Sequence, residues 1–89
     1  PHTPFVAPKA YFDRYPLESI DPQAVPDNLA ELFPASALAS QRPAEVAMDD
    51  GLKRKALQAY YASTTFMDAQ FGLVLDALDH AGLRGDGRL

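Results

Sequence analysis

Few residues in this chain carry side chains able to do chemistry, and most of those have a plainer use. The histidines are His2 and His80. A lone imidazole can act as a general acid or as a charge-stabilising donor, but only its surroundings make it special. His2 lies in the run Pro1-His2-Thr3-Pro4-Phe5, whose prolines stiffen the backbone that presents it. His80 falls near the C-terminal end of a helical pattern, where the helix dipole favours a cation, and reads as a surface residue. Asp49 and Asp50 precede that pattern and suit N-capping. Lys53-Arg54-Lys55 offers an anion contact. The dipole disfavours cations at a helix start, so a solvated face is the expectation there. Asp68 sits within the apolar face of the same pattern. An unpaired buried carboxylate is costly, so Asp68 is expected to be hydrogen-bonded. Anchoring the helix to a neighbouring loop is the expected role, and a site role is the alternative. Tyr11, Phe12, Tyr15, Tyr60 and Tyr61 are expected to pack rather than to form a ligand cage. Cysteine is absent, which excludes disulfides, thiolate metal sites and a cysteine nucleophile within these residues. It leaves the cellular compartment open.

The elements that position these residues divide the chain in two. All eight prolines lie in the first 43 residues. Proline fixes its own φ and pushes the preceding residue out of the helical region. Residues 1–48 are therefore expected to be extended chain and turns with helices of one or two turns. Candidates are 9–15, between Pro8 and Pro16; 28–33, capped by Asp27; and 35–40. Residues 3–7 could form a short extended edge.

Residues 49–89 read as one long helix, from about 51 to 81, followed by a turn at 84–89. Gly82 after the last periodic residue, with Leu83 behind it, predicts a glycine stop. At about 100° per residue, Leu57, Tyr60, Tyr61, Thr64, Phe71, Leu75 and Leu78 share one side, flanked by Met67 and Val74. Ala59, Ala62, Phe66, Ala69 and Leu73 fall opposite, among Lys55, Gln58, Asp76 and His80. A helix apolar on both sides is normally enclosed by neighbours. Gly72 costs roughly 1 kcal/mol of helix propensity relative to alanine, which a close approach of another backbone would justify. Thirty-one helical residues at about 1.5 Å each make a rod of roughly 46 Å. A compact chain of 89 residues is only about 30 Å across, with a radius of gyration near 12 Å. Either the helix breaks near Thr64-Thr65, or it belongs to a larger body.

Composition bounds the rest. Eighty-nine residues make one small domain, with a globular balance of 47% hydrophobic and 22% charged residues. The net charge of −4 argues against a nucleic-acid partner. No apolar run approaches the roughly 20 residues of a membrane span, and no basic-then-apolar signal segment opens the chain. The start at Pro1, without methionine, suggests a piece of something longer.

Two stretches resemble a known family. The opening Pro1-His2-Thr3-Pro4-Phe5-Val6-Ala7-Pro8-Lys9-Ala10-Tyr11-Phe12-Asp13-Arg14-Tyr15-Pro16 is similar to the sulfatases, and within them the iduronate-sulfatase-like branch. There a Pro-His-x-Pro-Phe element precedes a Pro-Lys-x-Tyr/Phe segment ending in Tyr-Pro. Ile20-Asp21-Pro22 through Val25-Pro26-Asp27-Asn28-Leu29 resembles the proline-rich passage that follows. The helix resembles the family's Tyr-x-Ala-x-x-x-x-x-Asp-x-x-x-Gly pattern through Tyr60, Ala62, Asp68 and Gly72. The resemblance covers nearly the whole chain in order.

This resemblance implies a mostly α internal fragment of an α/β alkaline-phosphatase-like sulfatase. The implied reaction is sulfate ester hydrolysis through a formylglycine nucleophile beside a calcium ion. His2 would lie in the sulfate pocket, as a catalytic and substrate-binding residue. The nucleophile motif, Cys/Ser-x-Pro-x-Arg, is not here: Ser40 is followed by Gln41-Arg42-Pro43. Nothing matches the family's metal-binding aspartates either, so no metal ligand is assigned. Nucleophile and calcium would come from outside these residues, and the chain alone is expected to be inactive. The rival is a non-catalytic helical module that self-associates. Apolar groups on both sides of the helix predict a homo-oligomer, most simply a two-fold dimer, with Phe66 and Leu73 marking the contact.

Overall fold

Proline placement shapes the first half as expected, and the helices there are shorter still. The computed structural model describes residues 1–83, so the turn expected at 84–89 lies outside them. Among the described residues the structure is helical, with no strand. Helix α1 spans Lys9–Phe12 and a 3-10 turn spans Leu17–Ser19. Helices α2 (Leu29–Leu32), α3 (Ala35–Leu38) and α4 (Pro43–Val46) are single turns that bury no residue. Asn28, not Asp27, stands at the cap of α2, and its side chain makes no capping bond. Helix α4 was not expected. Its signal is Pro43 at the first helical position, with Glu45 accepting from the Arg42 backbone N–H at 3.0 Å. Residues 3–7 form no extended edge and run as irregular chain with a cis Thr3–Pro4 bond.

Helix α5 (Asp50–His80) is 31 residues long and unbroken. Asp49 caps it, its Oδ1 accepting from the Leu52 N–H at 2.8 Å. It ends as the glycine predicted. Gly82 takes φ 71°, a left-handed conformation open to glycine without Cβ strain. The Gly82 N–H donates to Asp79 and the Leu83 N–H to Leu78, which satisfies the last carbonyls. No break occurs at Thr64-Thr65. The Ser63 and Thr64 hydroxyls instead donate back to the Ala59 and Tyr60 carbonyls, at 2.8 and 2.9 Å. The rod therefore overhangs its covering: the described chain measures 53 × 32 × 20 Å, with a radius of gyration of 18.4 Å.

Residues 11–20 run antiparallel along α5. Tyr11 meets Phe66 edge-on at 5.2 Å between ring centroids, and Tyr15 meets Tyr61 at 5.5 Å. The Tyr15 hydroxyl is hydrogen-bonded to the Thr65 hydroxyl. Gln58 donates to the Tyr15 carbonyl at 2.9 Å, and Arg54 Nε to the Ile20 carbonyl at 3.1 Å. The buried residues of this contact are Ile20, Ala62 and Ser63.

This covering corrects the expected core face. The structure covers the side of Gln58, Ala59, Ala62, Phe66 and Ala69, where small side chains let the aromatic segment approach. On the side with the larger apolar residues, Tyr60 and Tyr61 meet Phe5 and Tyr15, but further along the helix that side is open: Met67, Phe71 and Val74 are more than half exposed. Asp68 therefore lies exposed, rather than buried and bonded. A Cβ at Gly72 would meet nothing within 4 Å, so no backbone approaches it. Of the two residues expected to mark a contact between copies, Phe66 meets Tyr11 within the chain and is half-buried, while Leu73 is exposed.

Candidate functional site

The segment carrying His2 is anchored three residues further on. Phe5 packs edge-to-face on Tyr60, with centroids 5.3 Å apart and planes at 89°. Beyond it, Lys9 and Asp13 form an exposed ion pair at 2.8 Å across α1. His2 itself is exposed, and its Nδ1–H donates to the Thr3 carbonyl at 2.6 Å. That bond leaves Nε2 as the nitrogen open to a ligand. The neutral ring offers an acceptor there, and the imidazolium offers a donor. Among the described residues no side chain pairs with His2.

The other candidates do not gather around it. No hydrogen bond or ion pair links His2 to Asp68 or His80. The His80 Nδ1–H donates to the Asp76 carbonyl one turn back at 2.8 Å, a surface arrangement as expected. Only part of the basic run is a solvated face. Lys55 is exposed, but Arg54 is half-buried and holds the Ile20 carbonyl, and Lys53 lies 3.9 Å from Asp50. The tyrosines pack, as expected, and the Arg14 guanidinium lies 5.2 Å over the Tyr11 ring. Arg54, Gln58 and Thr65 were not singled out in the sequence. Each fastens the first half to α5, and no local pattern reveals a partner 34 to 50 residues away.

An open cleft of about 480 Å³ lies between residues 21–25 and α5. Pro22, Val25, Met48, Leu57 and Tyr61 form its walls, with Asp21 and Lys53 also lining it. No group of three or more His, Asp or Glu able to hold a metal ion occurs among the described residues. Asp49 is used as a cap and Asp50 lies 3.9 Å from Lys53, so this adjacent acidic pair serves the helix start.

Comparison with known proteins places these residues. The chain is 38% identical over 86 residues to a sulfatase of Formosa agariphila, an alignment covering 91% of this chain. It is related to sulfatases. Iduronate 2-sulfatases of Mus musculus and Homo sapiens align at 38% and 36% identity, over 89% of this chain in each case. The sulfatase-related chain spans about 17% of the length of each of these relatives. No family profile and no solved structure matches it.

Proposed function

We propose that this chain is the sulfate-pocket segment of a sulfatase that hydrolyses sulfate esters, with an alkaline-phosphatase-type α/β fold in the whole protein. The observation that carries this is the similarity to three sulfatases over about nine-tenths of the chain. The Pro-His-x-Pro-Phe element that presents His2 supports it. A sulfated sugar is the substrate class favoured by the branch.

His2 is the residue of this chain assigned to the chemistry. Cleavage of a sulfate ester builds negative charge on the transferring and leaving oxygens. A positioned imidazolium donating from Nε2 stabilises that charge. The Nδ1–H bond to the Thr3 carbonyl orients the ring, and Phe5 on Tyr60 holds the segment. In the proposal a formylglycine supplies the nucleophile and calcium supplies positive charge at the sulfate. The residues of this chain do not fit a calcium site, since no suitable acidic group is present among those described. Both would therefore be held by residues outside these 89.

The coding sequence around this segment tests the proposal. A Cys/Ser-x-Pro-x-Arg motif upstream and an Asp-His/Asn pair downstream are expected. The longer protein should then release sulfate from an aryl sulfate. A longer protein without the nucleophile motif and without aryl sulfate turnover overturns the assignment.

A further inference from the structure

The two stretches singled out in the sequence meet at one point. Phe5 ends the Pro-His-x-Pro-Phe element and Tyr60 opens the Tyr-x-Ala pattern of α5, and their rings stand edge-to-face at 5.3 Å. Residues 1–4 are exposed, and Phe5 is the first half-buried residue of the chain. The path of the chain toward His2 therefore starts from this contact.

From Tyr60 the constraint reaches the imidazole in short steps. The Tyr60 ring seats the Phe5 ring. Pro4, next in line, has its φ set by its own ring and confines Thr3 to extended backbone. The Thr3 carbonyl then accepts from the His2 ring at 2.6 Å. A carbonyl oxygen can only accept, so Nδ1 carries the proton and Nε2 is left for a ligand. The other end of the path is firm. Tyr60 lies 6.4 Å from the Tyr61 ring, which meets Tyr15, and the next residues of the helix, Ala62 and Ser63, are buried.

We propose that Tyr60 is a positioning residue for His2, acting through the ring of Phe5. The proposal rests on the assignment of His2 to the sulfate pocket. Charge stabilisation by an imidazole depends on where its N–H points, and a misplacement of about 1 Å can cost about 10²-fold in rate. Helix α5 thus contributes to the chemistry from a residue that does not touch the substrate. The ring of Tyr60, rather than its hydroxyl, makes the contact, so phenylalanine should replace it.

The imidazole nitrogen signals of the 89-residue chain, read on the neutral ring by nuclear magnetic resonance, test the linkage without activity. His2 should show a protonated Nδ1 and a bare Nε2. Tyr60→Ala and Phe5→Ala should each return His2 to a mixture of both tautomers, and Tyr60→Phe should not. His80, bonded to the Asp76 carbonyl near the far end of α5, is the internal control and should stay unchanged. Phe5→Ala removes the contact from outside the helix, so it decides the matter where Tyr60→Ala unfolds α5. Unchanged His2 signals in a folded variant overturn the proposal. In the longer protein, Tyr60→Ala should lower aryl sulfate turnover about ten-fold, and Tyr60→Phe should restore it. In a His2→Ala background Tyr60→Ala should cost nothing further, since no imidazole remains to be placed. An equal loss in both backgrounds shows a merely structural role and overturns the proposal. Full turnover in His2→Ala alone overturns the sulfate-pocket reading instead, and the nitrogen signals still decide whether Tyr60 holds the ring.

Discussion

His2 is held by its backbone neighbour and by an aromatic anchor, not by a partner side chain. Its removal should therefore leave the fold intact and reach only the chemistry. Under the proposed function, His2→Ala in the longer protein is expected to lower turnover of an aryl sulfate by about 10²-fold, the scale of a positioned acid or charge-stabilising donor. Steady-state kinetics alongside a thermal melt checks this. Unchanged turnover removes His2 from the site, and a lost melt shows a structural role instead. Tyr15 is the contrasting residue. Its ring lies on Tyr61, its carbonyl accepts from Gln58 and its hydroxyl bonds Thr65. Tyr15→Phe keeps the ring contact and loses the hydroxyl bond. It should cost about 1 kcal/mol, read as a lower denaturant midpoint with little change in slope.

At the scale of the element, α5 is stabilised by its ends and weakened near its middle. Asp49 satisfies an otherwise unpaired N–H at the start. Asp49→Ala is expected to cost about 1 kcal/mol, measurable as a lower melting temperature. Gly72 runs the other way. A methyl there meets open space, so Gly72→Ala should stabilise this chain by up to about 1 kcal/mol through helix propensity. A destabilised alanine variant would show that a backbone does approach Gly72.

The whole molecule is a long rod with a partial sleeve. Among the described residues the buried apolar ones are Ile20 and Ala62, a core far smaller than a compact domain of this length would form. Small-angle scattering extrapolated to infinite dilution should give a radius of gyration near the 18.4 Å of the structure, well above the roughly 12 Å of a compact chain. A compact value would mean that α5 folds back on itself in solution. Activity belongs to the same scale. The purified 89-residue chain should not turn over an aryl sulfate, with or without calcium, because it contains neither nucleophile motif nor a metal-holding acidic group among the described residues. Calcium-dependent turnover would reveal a site that the described residues do not show.

What the sequence determined by itself were features encoded within a turn or two of chain. The prolines of the first half confine its helices to single turns, because each one restrains itself and its predecessor. Asp49 and Gly82 bound α5 through bonds to residues at most five positions away. The sulfatase relationship was legible for a similar reason, since Pro-His-x-Pro-Phe and Tyr-x-Ala-x-x-x-x-x-Asp-x-x-x-Gly are local patterns. Which side of α5 is covered was not legible. Both sides are apolar, so periodicity favoured the one with larger residues. The tertiary structure decided for the side of Ala62, where small side chains admit Tyr11 and Tyr15, and where Gln58 and Arg54 bond carbonyls 43 and 34 residues away. Hydrophobic pattern records how apolar a face is; only contact between distant segments decides whether its shape fits the one partner the chain supplies.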